Sequence, residues 1–145
     1  MKIGIAADHN GIKVKSNIKK YLERLGHKVI DYGTEDNISV DYPEYAFKVG
    51  KALKKEIELG ILICGTGIGM SMAANKVKGV RCALVHNVKE AKLAKEHNNA
   101  NCIALSSNLS MFRIKDILDT FINTKFSNIE RHSRRVEMID SYKWM

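Results

Sequence analysis

The sequence predicts an α/β protein built on a parallel sheet with helices on both faces. Two patterns say so. Short apolar, strand-like runs alternate with helix-period segments from one end of the chain to the other. And Ile61–Asn75, ILICGTGIGMSMAAN, is a strand, a glycine-rich turn and a helix start in one continuous piece. At 145 residues, one domain is the natural expectation, spanning 1–145.

The elements follow in order. Lys2–Ala7 reads as a first strand and ends in the polar turn Asp8-His9-Asn10-Gly11. From Ile12, the apolar residues Val14, Ile18, Tyr21, Leu22 and Leu25 recur at helical spacing with lysines opposite, and Gly26 stops that helix. His27–Tyr32 is a second strand, and Gly33–Asp41 is a polar loop. Pro43 suits the first turn of a helix whose inner face is Ala46, Val49, Gly50 and Leu53. Gly60 precedes the central strand. Val80–Val85 is a fourth strand, and Asn87 with Glu90 reads as an N-cap pair for a short helix running to about Lys95. A polar cluster, EHNNAN, leads to a fifth strand from Cys102 to Leu105. The next helix buries Ile114, Ile117, Leu118, Phe121 and Ile122, and a last one starts near Asn128 with Val136 and Ile139 on one side.

Composition excludes several classes. No apolar run approaches the roughly 18 residues of a membrane span, and the N-terminal run stops at Asp8, too short for a signal peptide. The expectation is a cytoplasmic protein with no membrane partner. The net charge of +8 comes mostly from lysines scattered over helix positions. Aromatics do not interleave with them as stacking platforms would require, so a solvated surface is expected, with no nucleic-acid partner. Cys64, Cys82 and Cys102 have no paired spacing, so neither a disulfide framework nor a metal site is expected. Cys82 and Cys102 lie inside apolar runs and read as small buried hydrophobes. Cys64 stands beside glycines at a strand end.

Gly65-Thr66-Gly67-Ile68-Gly69 is the sharpest chemical feature. A dinucleotide fingerprint would need its third glycine at Met70, and a P-loop would need a lysine after the last glycine. The turn is better suited to cradling a small anion, such as a phosphate, an enolate or a carboxylate, with backbone N–H groups. A tight turn that needs small residues would read the same way. Near such a turn a thiol has its thiolate favoured, making Cys64 a candidate base or nucleophile, with the Thr66 hydroxyl two residues on. Asp8-His9 and His97-Asn98 are further polar spots, the histidines being candidate proton carriers near neutral pH. If these spots follow parallel strands, they share one sheet edge with the glycine turn. Arg131 and Arg135 lie four apart on one helix face, a spacing that matches a phosphate, or that of an ordinary basic face.

Together these residues resemble the B-type ribose-5-phosphate isomerases, in the family that also holds the galactose-6-phosphate isomerase subunits. The matching residues are Asp8-His9, Gly33-Thr34, Asp41-Tyr42-Pro43, ILICGTGIG through Ala73-Ala74-Asn75-Lys76, Gly79-Val80-Arg81, His97-Asn98 with Asn101, and Arg131-His132 with Arg135-Val136. The resemblance implies a three-layer, Rossmann-like fold with five parallel strands, and a metal-free, cofactor-free aldose–ketose isomerase. It implies a homodimer with shared sites, alone or paired into a tetramer, acting on a phosphorylated sugar. In that pattern His97 opens the sugar ring and Cys64 takes the C2 proton. Gly65, Gly67, Ile68 and Gly69 form the loop that stabilises a cis-enediolate, and Thr66 helps move a proton at C1. Arg131, Arg135 and His9 hold the phosphate, while Asp8, Tyr42 and Asn98 position hydroxyls, with His97 and Asn98 coming from the partner. Asn108 stands where the family commonly has a substrate-touching arginine. Ribose 5-phosphate is the expected substrate. A six-carbon phosphate such as allose or galactose 6-phosphate, or sugar-phosphate binding without turnover, is the alternative.

Overall fold

The computed structural model describes residues 1–36 and 38–143. Asn37, inside the expected loop, and Trp144 and Met145, the end of the expected domain, lie outside the described residues.

Among the described residues five strands and six helices follow in the expected order, alternating up to the last two helices: β1 (Lys2–Ala7), α1 (Ile12–Arg24), β2 (Lys28–Asp31), α2 (Tyr42–Ala52), β3 (Leu59–Cys64), α3 (Ile68–Ala74), β4 (Cys82–Leu84), α4 (Val88–Asn98), β5 (Cys102–Ser106), α5 (Met111–Asn123) and α6 (Glu130–Ser141). The strands form one parallel sheet in the order β2-β1-β3-β5-β4. Every residue of β3, the middle strand, is buried. This is why its sequence is a continuous apolar run with no alternation.

The period-2 geometry of the strands divides the core into two layers. Ile61 and Ile63 face α1, α4 and α5, where Ile18, Leu22, Ala91, Ile114, Leu118 and Phe121 pack. Leu62 and Cys64 face α2 and α3, where Ala46, Val49, Met70 and Ala74 pack. Handedness explains the division. Connections running one way across the sheet (β1 to β2, β4 to β5) use α1 and α4 on one face, and those running the other way (β2 to β3, β3 to β4) use α2 and α3 on the opposite face. The chain therefore diverges to opposite faces after β1 and after β3, which are neighbours. The carboxyl ends of that pair form the crevice where open α/β sheets bind ligands.

Some boundaries differ from expectation. α4 runs past Lys95 to Asn98, because Asn99 adopts the left-handed conformation (φ 45°) that ends a helix. β4 is three residues long because it pairs only with β5. On its outer side the Asn75 side chain accepts the Cys82 N–H at 2.8 Å and donates to the Cys82 carbonyl at 2.9 Å. Cys82 is consequently half-buried, whereas Cys102 is fully buried. On α6, Val136 is buried but Ile139 is 52% exposed, so only part of the expected inner face is covered. No helix among the described residues is long and apolar enough to cross a membrane.

Candidate active site

The crevice is organised by the turn after β3. Gly67 takes φ +81° and starts α3. Its N–H turns back to Cys64 and donates to Sγ at 3.1 Å. Cys64 is 6% exposed, its side chain held between the end of the strand and the first turn of the helix. The Ile68 N–H is met by Thr66 Oγ1 at 3.2 Å. The amides of Gly65, Thr66 and Gly69 donate to no group among the described residues. The turn is thus a set of preformed, unpaired donors around a buried sulfur. Small residues are required here for packing as well. A Cβ on Gly67 would lie 2.7 Å from Leu84 Cδ1 and 3.1 Å from the Leu105 carbonyl carbon, and one on Gly69 would lie 2.5 Å from the Tyr42 hydroxyl oxygen. Gly67→Ala is expected to lose about 1–3 kcal/mol of stability from backbone strain and to displace the Sγ contact. Urea unfolding measures the first, and turnover of the folded fraction measures the second.

The neighbouring segments close round this turn. Asp8 is buried: its backbone N–H donates to the Ile63 carbonyl at 3.1 Å, and its Oδ1 accepts the Asn10 N–H at 2.9 Å. His9 Nδ1 accepts the Val40 N–H at 3.3 Å. Tyr42, at the start of α2, covers Gly69. The next strand adds Ser106, which the sequence did not single out. Its Oγ donates to the Gly65 carbonyl at 2.7 Å and accepts the Asn108 N–H at 3.1 Å, while Asn108 Nδ2 reaches the same carbonyl at 3.4 Å. Only the β3–β5 pairing, Cys64 opposite Ser106, could have revealed this. Asp8, His9, Tyr42, Cys64, Gly65, Thr66, Gly67, Ile68, Gly69 and Asn108 therefore meet at the carboxyl edge.

His97 and Asn98 do not join them. They end α4, which returns from that edge to the amino ends of the strands, so the expectation of one shared edge is corrected for this pair. Arg81, immediately before β4, marks the place. Its Nη2 donates to the Asn99 carbonyl at 2.8 Å and its Nε to the Asn98 carbonyl at 3.2 Å, and Nη1 pairs with both Asp140 carboxylate oxygens at 2.7 Å. From Gly60, paired with Cys102, to Cys64, paired with Ser106, the sheet is about 13 Å long. Arg131 and Arg135 belong to this second group. They are exposed on α6, which packs on α4, and they flank His132. His132 is buried, and its ring lies on that of His97 with centroids 4.2 Å apart. Burial pushes the His132 pKa down, helped by the charges of His97, Arg131 and Arg135 and opposed by Glu96. One chain thus carries two separate groups, a thiol with backbone donors at one sheet edge and a cluster of imidazoles and guanidiniums at the other.

The sequence profile described as Ribose/Galactose Isomerase matches residues 3–139. The chain belongs to the ribose/galactose isomerase family. It is 46% identical to the probable ribose-5-phosphate isomerase B of Mycoplasma pneumoniae, over 97% of this chain and 94% of that protein. It is 39% identical to the galactose-6-phosphate isomerase subunit LacB of Clostridium acetobutylicum, over 97% of this chain and 82% of that protein. The crystal structure of ribose-5-phosphate isomerase B from Mycoplasma genitalium with bound ribulose 5-phosphate superposes with a TM-score of 0.92 at 43% identity, covering 97% of this chain and 95% of that one. Membership in the ribose/galactose isomerase family bears out the resemblance, the expected fold and the aldose–ketose isomerase class.

Proposed function

We propose that this chain interconverts ribose 5-phosphate and ribulose 5-phosphate through a cis-enediolate, with Cys64 as the base. The observation that carries the proposal is the buried Cys64 sulfur beside the unpaired amides of Gly65, Thr66 and Gly69. Isomerisation needs that pair of functions in one place. A base removes the proton from C2, the C–H electrons become the C1–C2 double bond, and the aldehyde oxygen takes up negative charge. Donors already aimed at that oxygen need no reorganisation, and one such donor is worth roughly 3 kcal/mol. The proton on O2 moves to O1, C1 is protonated beside Thr66, and the ketone stands at C2.

Ring opening needs a second proton carrier, because ribose 5-phosphate is mostly a closed furanose. His97 takes that role, moving a proton between the anomeric hydroxyl and the ring oxygen. Since His97 and Asn98 sit at the opposite sheet edge from Cys64, they act on a substrate held by another copy. The working unit is then a homodimer in which the glycine turn of one subunit faces the α4–α6 cluster of its partner. Arg131 and Arg135, placed beside His97, would bring their charge to the phosphate from that same partner. His9 and Asp8 would close the site from the subunit that supplies the thiol.

A six-carbon phosphate is the second reading. The 39% identity to a galactose-6-phosphate isomerase subunit favours it, as does Asn108, which reaches the turn without adding a charge. Parallel kinetics on ribose 5-phosphate, allose 6-phosphate and galactose 6-phosphate decide between them. The proposal expects kcat/KM for ribose 5-phosphate to exceed the others by at least about tenfold, a gap of about 1.4 kcal/mol. A preference for either six-carbon sugar overturns the substrate assignment.

A further inference from the structure

We infer that His132 is a positioning residue for His97: its ring, locked by Ser127, fixes the plane in which the His97 imidazole meets the substrate. The inference rests on the role proposed above for His97. His132 itself faces the body of the protein and touches no reacting atom.

The lock is visible in the hydrogen bonds. Ser127 donates its backbone N–H to the Glu96 carbonyl at 3.0 Å, one residue before His97, so the serine is fastened to the last turn of α4. Its Oγ accepts the Ile129 N–H at 3.2 Å and lies 2.7 Å from His132 Nδ1. The hydroxyl holds the Ile129 N–H and the His132 ring at once, one donor and two lone pairs being enough for both, so the ring is fastened to the serine through Nδ1. The orientation of the His132 ring is then set by α4 itself. On that fixed ring lies His97, tilted by 32° with centroids 4.2 Å apart. The far end of α6 is held independently by the Arg81–Asp140 pair.

Packing alone would not require this chemistry. A phenyl ring would fill the same volume without a buried polar atom to satisfy. Histidine permits the serine lock, and it stays uncharged beside a partner that must carry protons. The groups facing it are Glu96 and His97 from α4, Arg131 and Arg135 from α6, and the Ser127 hydroxyl between them. All but Glu96 and the hydroxyl oppose a charge on His132. His132 is therefore disfavoured as a proton carrier, as suits a ring that only positions its neighbour.

The test uses the full chain with Ser127→Ala and His132→Phe, beside wild type and His97→Asn, with circular dichroism confirming each fold. Ser127→Ala removes only the lock. His132→Phe keeps a ring under His97 but removes the lock and the titrating neighbour. Both variants are expected to lower kcat on ribose 5-phosphate by about 10- to 100-fold, the cost of misplacing a catalytic group by about an ångström, with KM changed by less than about threefold. His132→Phe is further expected to move the acidic limb of the pH profile. Ribulose 5-phosphate has no free C5 hydroxyl and so no ring to open. Its proton exchange with solvent should fall far less than ribose 5-phosphate turnover. Unchanged kcat and pH profile in both variants, with His97→Asn impaired, overturn the inference alone. Full activity in His97→Asn overturns the proposed role of His97 beneath it. Equal losses of exchange and turnover would mean that His132 merely holds the fold together, and would also overturn the inference.

Discussion

Cys64→Ala is expected to reduce turnover by about 10²–10⁴-fold, the contribution of a positioned general base, while leaving the fold intact. The side chain is nearly fully buried, so loss of the sulfur removes a small packed volume and costs about 1 kcal/mol in stability. Cys102 provides the internal comparison. It is a fully buried thiol on the next strand, facing the same core layer. Cys102→Ala should cost similar stability and keep turnover near the wild-type level. If the two variants lose activity in parallel with stability, the sulfur of Cys64 is only packing. If Cys64→Ala alone loses activity, the Cys64 thiol belongs to the chemistry.

The second large effect follows from the placement of Cys64 and His97 at opposite edges of the sheet and from the proposal that they serve one reaction. Cys64→Ala and His97→Asn should each be inactive alone, but a mixture in which subunits exchange should recover activity. A mixed dimer has one site with both replaced residues and one site with neither. At equal amounts and random pairing, about one quarter of wild-type activity should return, the arithmetic of an interface related by twofold symmetry. Co-expression of the two chains under different affinity tags isolates the mixed dimer as the doubly tagged species, in which about half of wild-type activity is expected, one intact site in two. No recovery in verified mixed dimers would mean that the thiol and the imidazole serve the same subunit or that one of them does not serve the reaction.

Much of this was legible in the residues. The run of buried positions in β3, the helical spacing of Ile18 and Leu22, and the Asn87 cap, which accepts the Glu90 N–H at 2.9 Å, are local signals that the fold obeys. The strand order was not legible, because it depends on which connection crosses which face. With it went Ser106, whose proximity to Gly65 exists only because β5 lies beside β3. The position of His97 was obscured for a related reason. A polar cluster before a strand resembles one after a strand, yet they lie at opposite edges of a parallel sheet. Arg131, His132 and Arg135 were readable as a basic helix face, but the burial of His132 between its arginines depends on α6 docking on α4. Local sequence has no means of encoding that docking visibly, since Ser127, Glu96 and Arg81 come from three different segments.

The most direct test of the central claim is to run ribose 5-phosphate in deuterium oxide with wild type and Cys64→Ala and to locate the label. With the thiol present, deuterium should enter at C1 of ribulose 5-phosphate and at C2 of recovered ribose 5-phosphate; without it, neither position should gain label on the same timescale. Label entering at the wild-type rate in Cys64→Ala would contradict a proton taken from carbon by Cys64.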